Sequence, residues 1–379
     1  MIFDYDTLKL IWWGFMGLLV IGFALTDGFD MGVGALLPFL GRTDDERRVI
    51  INSIGPTWEG NQVWFITAGG AAFAAWPLVY AAAFSAFYVA LMLALFALFF
   101  RPVGFDYRSK LAHPAWRSGW DWALCIGGAV PALVFGVAFG NLLQGVPFHF
   151  DADLRAYYTG TFRQLLNPFA FLAGAVSLAM LAMHGATYLQ LRTVGAIRER
   201  AARAALAAAL GVVALFALAG LWIWAGIDGY RIVSANPGGL LNPLAKIVEK
   251  APGAWFANYQ SHPWMMAAPA AGFGGALLVV LASARGRALI AFAGSSVAVT
   301  GIILTAGLSM FPFILPSTSQ PNASLTAWDA VSSHRTLQIM FWVVAVFLPL
   351  VTAYTGWVYH VLRGPVTPER VRQGGHTSY

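Results

Sequence analysis

Apolar residues come in runs of 20 or more along most of this chain, broken by short stretches rich in Arg, Asp, Gly and Pro. A run of that length is what an α-helix needs to cross the hydrocarbon core of a bilayer. Nine spans are predicted, at roughly 9–40, 53–75, 78–100, 119–143, 166–189, 204–227, 264–283, 288–312 and 337–362. The first would measure about 45 Å at a rise of about 1.5 Å per residue, so it should tilt or project from the membrane. The longest break, 228–263, is rich in Gly, Pro and Asn, and a short interfacial helix is expected within Asn242–Tyr259. The spans show no internal sequence repeat.

Composition agrees with the pattern. The chain is 59% hydrophobic and 11% charged, whereas soluble domains carry roughly a quarter charged residues. The net charge of +6 could suggest nucleic acid in a soluble protein. Here sixteen of the 23 Lys and Arg fall in the breaks after spans one, three, five and seven and in the C-terminal tail. Such an uneven spread is the signature of topology: it places the C-terminus in the cytoplasm and the N-terminus outside. No nucleic-acid partner is implied. Cys125, the single cysteine, excludes an internal disulfide and a multi-cysteine metal cluster. Asp4 and Asp6 spoil the basic region of a cleavable signal, and the apolar run after them is too long for one.

The chemistry worth following is acidic. The block NSIGPTWEGNQVWF at 52–65 sets Glu59, Asn61 and Gln62 into an apolar run, between Trp58 and Trp64. A carboxylate at membrane depth costs several kcal/mol unless it faces protein or water, so it marks a functional site by default. With the orientation above, Asp27, Asp30, Glu59, Asp106 and Asp121 all fall in the cytoplasmic half or at its edge, together with Arg101 and Arg108. Asp27 and Asp30, three apart, share a helix face, as do Glu59 and Gln62. Two readings fit these groups: a proton relay, or charges that pair with arginines and backbone to lock helices together. For Asp106, Asp121 and Arg108 an interfacial structural role fits as well.

Gly28–Gly32 and Gly136–Gly140 have the spacing of close helix contacts, and their faces are expected to meet a larger membrane partner. Only His184 lies deep in a span. A bis-histidine haem needs two facing imidazoles, so the chain is expected to hold no haem by itself, and no metal site is expected. Trp64, with Arg101 nearby, is a candidate wall of a quinone or lipid pocket.

From end to end the chain resembles subunit II of the bacterial cytochrome bd-type ubiquinol oxidases. The resemblance is carried by FALTDGFDMGVG at 23–34, the stretch 52–110, AFGNLLQGVPF at 138–148 and TGTFRQLLNPFAFLAG at 159–174. It continues in GATYLQLRTVG at 185–195, LTAGLSMFPFILPS at 304–317 and NASLTAWDA at 322–330. It implies an all-α membrane protein with nine transmembrane helices, arranged as two four-helix bundles and one peripheral helix. The bundles would span 1–150 and 151–320, with the ninth helix and a cytoplasmic tail at 321–379. It further implies a bacterial inner-membrane subunit that supports quinol oxidation and four-electron oxygen reduction. Its partner, subunit I, would carry haems b and d. A small accessory subunit, quinol, membrane lipid and, as in some members, a structural quinone are the other implied partners. The family places the acid of its W-[D/E]-G-N-Q-V-W motif on a proton path, which makes Glu59 the proton relay, with Asp27, Asp30 or Asp106 as further relays. The rival readings are a proton-coupled transporter, which would show broken helices at mid-membrane and usually a repeat, and a purely structural scaffold.

Overall fold

In the computed structural model, which describes residues 3–235 and 242–373, the apolar runs are helices. Asp4 starts the first one by accepting the Thr7 backbone N–H at 2.9 Å. As a result α1 (Tyr5–Leu40) begins four residues earlier than its apolar run. A capping box between Thr43 and Glu46 opens α2 (Asp44–Ile54), a short amphipathic helix. Gly55-Pro56 ends it before α3 (Trp58–Ala75). The predicted span 53–75 is therefore shorter than expected, because its first residues belong to a different helix. The predicted span 78–100 is split into α4 (Pro77–Ala86) and α5 (Tyr88–Tyr107). Backbone bonds from Phe87 N to Ala83 O and from Leu91 N to Phe87 O, both 2.8 Å, carry the ladder across the break.

Next come α6 (Pro114–Gln144), the hairpin of β1 (Phe148–Phe150) and β2 (Ala156–Tyr158), and the single turn α7 (Phe162–Leu165). The pair α8 (Pro168–Arg192) and α9 (Gly195–Gly226) follows. In the long loop the expected interfacial helix is mostly replaced by an antiparallel hairpin, β3 (Gly229–Ala235) with β4 (Lys246–Ala251). The β-branched pairs Ile232-Val233 and Ile247-Val248 favour strands there, and the helical part is a 3₁₀ turn at Ala254–Phe256 that runs into α10 (Ala257–Ser261). Lys246 fastens the hairpin to Asp329 at 2.8 Å. The chain then runs through α11 (Ala267–Ala284), α12 (Ala288–Met310), the small pair β5 (Phe313–Leu315) and β6 (Leu325–Thr326), α13 (His334–Val361) and α14 (Pro368–Gln373).

Among the described residues, eight helices are long and apolar enough to cross a membrane: α1, α5, α6, α8, α9, α11, α12 and α13. α3 falls short of the nine expected because Glu59, Asn61 and Gln62 occupy its first turns.

α1, α6 and α8 pack on one another at the centre, with α3 on α1 and α5 on α6. On the other side α11 and α12 pair closely and lean on α9 and α8. The glycines expected to meet a partner do this internal work instead. A Cβ on Gly32 would collide with the Leu181 carbonyl, and one on Gly136 with the Ala173 carbonyl. A Cβ on Gly28 would stand 2.9 Å from the Leu181 side chain, and one on Gly140 2.8 Å from Ala170 Cα. Both glycine faces are consumed in the α1–α8 and α6–α8 contacts, where backbones approach more closely than any larger residue allows. α13 touches chiefly α1 and leaves most of its apolar surface exposed.

Candidate functional site

Four buried polar side chains meet where α1, α3 and α5 converge. Asp27 and Asp30 stand one turn apart on α1, Asn61 ends the first turn of α3, and Arg101 lies just before Pro102 on α5. Each is at most 3% exposed. Arg101 grips Asp27 through both terminal nitrogens, Nη1 to Oδ2 at 2.9 Å and Nη2 to Oδ1 at 2.5 Å. This fork-to-fork pairing is the geometry that best offsets the desolvation of two buried charges. Asp30 Oδ2 lies 4.0 Å from Arg101 Nη2 and accepts from Asn61 Nδ2 at 2.7 Å. Tyr359 of α13 donates to Asn61 Oδ1 at 2.6 Å. The Arg101 guanidinium also sits 5.4 Å above the Trp58 ring, a cation–π contact. Two carboxylates thus share one guanidinium. Asp30 Oδ1 has no protein partner among the described residues. It borders a cavity of about 10 Å³ lined also by Arg101, Phe105, Leu124 and Ile54, on the scale of a single water.

A second charge cluster closes the same end of the molecule. Asp121, fully buried, accepts from Arg108 Nε at 2.5 Å and Arg47 Nη1 at 2.8 Å. Arg108 and Arg117 hold Asp44 at 2.9 and 2.6 Å. These bonds knit α2, the end of α5 and the start of α6 into a clasp. Beside it Glu46 bridges to Arg200 at 2.7 Å. Burial alone would raise the Glu46 carboxyl, but the Arg200 guanidinium and the Arg42 and Thr43 amides outweigh it and hold the group below its usual pKa.

The structure separates the predicted residues. Asp27, Asp30 and Arg101 come together. Glu59 does not join them: it is exposed on the opposite side of α3, on a face with Val63, Ile66 and Phe73, which are also exposed. The residue of its motif that reaches inward is Asn61. Asp106 is exposed as well. Trp64 packs over Gly22 of α1, while Arg101 turns to Asp27. A large apolar cavity of about 880 Å³ lies elsewhere, among α1, α3, α6, α8, α9 and α12, bordered by Phe23, Phe65, Phe135, Phe169, Trp255 and Tyr259. Neither Trp64 nor Arg101 lines it.

His184 is buried with both ring nitrogens engaged, Nδ1 with Ser295 Oγ at 2.8 Å and Nε2 with Leu25 O at 3.0 Å, and it stacks on Phe292. In this packing it offers no free nitrogen to a haem iron. Among the described residues no group of three or more His, Cys, Asp or Glu is placed to hold a metal ion.

The sequence profile of cytochrome bd terminal oxidase subunit II matches residues 8–362. The chain belongs to this family. It is 55% identical over 377 residues to cytochrome bd-I ubiquinol oxidase subunit 2 of Escherichia coli (strain K12), across 99% of this chain and 100% of that relative. It is 31% identical over 359 residues to cytochrome bd ubiquinol oxidase subunit 2 of Bacillus subtilis (strain 168), across 94% of this chain and 96% of that one. The fold also matches the structure of bd oxidase from Geobacillus thermodenitrificans with a TM-score of 0.68 at 13% identity, over 93% of this chain and 97% of that chain.

For a member of this family, Tyr359 is the site residue that sequence reasoning misses altogether: it is 298 positions from its partner Asn61, and nothing near it in sequence is acidic. Asn61 was visible as part of a polar patch. Helical phase alone, two residues on from Glu59, puts it on another face of α3.

Proposed function

We infer that this chain is the non-haem-ligating half of a bd-type quinol oxidase in the bacterial inner membrane. With subunit I it supports quinol oxidation and the four-electron reduction of oxygen to water. The observation that carries the reading is the family match along nearly the whole chain, joined to a buried acid network of the kind proton uptake requires. With both nitrogens of His184 engaged, we assign haems b and d to subunit I, as the family resemblance implies, and activity requires that partner.

Within the complex we assign the chain a proton-uptake role. Oxygen reduction consumes protons at a buried centre, and taking them from the cytoplasm while quinol releases its own outside generates a membrane potential. Glu59 is the entry acid, on a surface that a partner subunit would cover. Asp30 is the inner relay, because one oxygen is free of protein partners and the other is tied through Asn61 to Tyr359. Asp27 stays locked to Arg101, so the pair can remain charged while Asp30 gains or loses a proton. Asp106, exposed beyond Arg101, is a second entry group. The large apolar cavity, rather than Trp64 and Arg101, suits the tail of a structural quinone or a lipid. The topology that supports this role has the N-terminus periplasmic and the C-terminus cytoplasmic. α3 counts there as the ninth span. α1, α3, α4–α5 and α6 form one bundle within 1–150, and α8, α9, α11 and α12 a second within 151–320. α13 is peripheral, within 321–379. A small accessory subunit completes the proposed assembly.

Glu59→Gln keeps size and hydrogen bonding but removes the acid. The complex should assemble with full haem content while quinol oxidase turnover falls at least tenfold, the lower range for a lost proton-transfer group. Glu59→Asp should keep part of the activity. Wild-type turnover in a fully assembled Gln variant would assign Glu59 a scaffold role and move the proton route elsewhere.

A further inference from the structure

The corner where the α8–α9 turn meets the α11–α12 turn carries three arginines, none of them in an ion pair among the described residues. Arg198 Nη2 donates to Gly286 O at 3.0 Å, which ties the start of α9 to the turn Arg285-Gly286-Arg287. Gly286 takes a φ of +67°, open to glycine at little cost, and the chain reverses there between two long helices. Arg198, Arg285 and Arg287 are all exposed, and among the described residues none is bridged by a carboxylate. Glu199, the adjoining acid in sequence, is exposed and forms no ion pair among the described residues, so the corner keeps a net positive charge.

Elsewhere at this end five arginines are neutralised. Arg47, Arg108, Arg117, Arg200 and Arg372 each pair with an Asp or Glu. At the corner Arg198 and Arg285 donate only to backbone carbonyls, of Gly286 at 3.0 Å and Leu281 at 3.3 Å, so their charge is not neutralised. α9 and α12 both begin here, and neither Val194 nor Arg287 caps its helix with a side chain. Their first-turn N–H groups add partial positive charge to the guanidiniums. Beside them Leu281, Leu289 and Ile290 are 52%, 67% and 39% exposed. A ligand that satisfies both halves of the corner has an anionic head and an apolar tail.

We propose that this corner binds the phosphate headgroup of an anionic membrane phospholipid, with the acyl chains lying along α11 and α12. Basic pockets between helices at the cytoplasmic side of a membrane take such headgroups. The site is separate from the Asp27–Arg101 network; its cytoplasmic placement rests on the topology proposed above and not on the proton-uptake role.

The test uses the assembled oxidase complex in mixed detergent micelles, with retained lipid measured by native mass spectrometry. The wild type should retain phosphatidylglycerol in preference to phosphatidylcholine. The triple variant R198Q/R285Q/R287Q should bind phosphatidylglycerol about a hundredfold more weakly, roughly fivefold per cation, with an unchanged haem spectrum. The triple Lys variant, which keeps the charge, should stay within a few fold of wild type. Equal retention of the two lipids by the wild type overturns the proposal, as does a Gln variant that holds phosphatidylglycerol undiminished. So does inorganic phosphate that competes as well as the lipid, since the site would then be one for a free anion. If the Gln variant does not assemble, the lipid preference of the wild type decides alone.

Discussion

Asp27 and Arg101 stand 74 residues apart in sequence, yet they form a buried, two-point ion pair. Each charge would be costly at membrane depth by itself, and the pairing makes both tolerable. Arg101→Gln therefore leaves Asp27 and Asp30 buried without a cation, an uncompensated charge worth about 3–5 kcal/mol. The expected outcome is loss of assembled complex, measured as haem-containing enzyme per unit of membrane. Arg101→Lys keeps the charge but loses the planar fork, and it should assemble at reduced yield. Asp27 and Asp30 were legible as a helix-face pair because their spacing is local. That Asp27 takes the arginine and Asp30 the asparagine was not, because the choice depends on how α3 and α5 lie against α1.

At the scale of elements, glycine placement decides how closely helices approach. Gly32 and Gly185 face each other across the α1–α8 crossing: a Cβ on Gly185 would stand 2.7 Å from Gly32 Cα. Gly17, on the same helix, has nothing within 4 Å of its would-be Cβ. Gly32→Leu should abolish folding of the chain, since the obstacle is backbone and cannot swing aside. Gly17→Ala should stay within about 1 kcal/mol of the wild type. Thermal stability and yield of the purified complex for the two variants check the contrast, and similar behaviour would discount the crossing. The GxxxG spacing was visible in the sequence. Which helix it would meet was not, since a small-residue stripe fits a neighbour within the chain and a partner subunit equally well.

At the scale of the whole molecule, the division of labour proposed with subunit I is consistent with what this chain's side chains already do. His184, its one deep imidazole, is held by Ser295 and Leu25 and stacked on Phe292. The chain purified alone should therefore show no Soret band at one haem per chain. A stoichiometric band would mean that the His184 packing opens to admit iron. The exposed apolar surfaces of α3 and α13 are of the kind that a partner or lipid must cover, and Glu59 lies on the first of them.

What the sequence determined by itself is the kind of molecule this is. Long apolar runs dictate membrane helices because no other local structure there satisfies its own backbone hydrogen bonds. The family is legible because its motifs run the length of the chain. Boundaries were less legible, because hydrophobicity does not see caps: Asp4 starts α1 ahead of its apolar run, and α2, opened by Thr43 with Glu46, takes the first residues of the span expected at 53–75. What the tertiary structure decided is which polar group faces which. A helix with an apolar stripe announces its buried side, but α3 is apolar nearly all round, so its sequence carries little phase information. Only packing against α1, α5 and α13 turns Asn61 inward to Asp30 and Tyr359 and leaves Glu59 facing out. Hydrophobicity placed these acids in largely apolar helices; contact between helices distant in sequence gave them different surroundings.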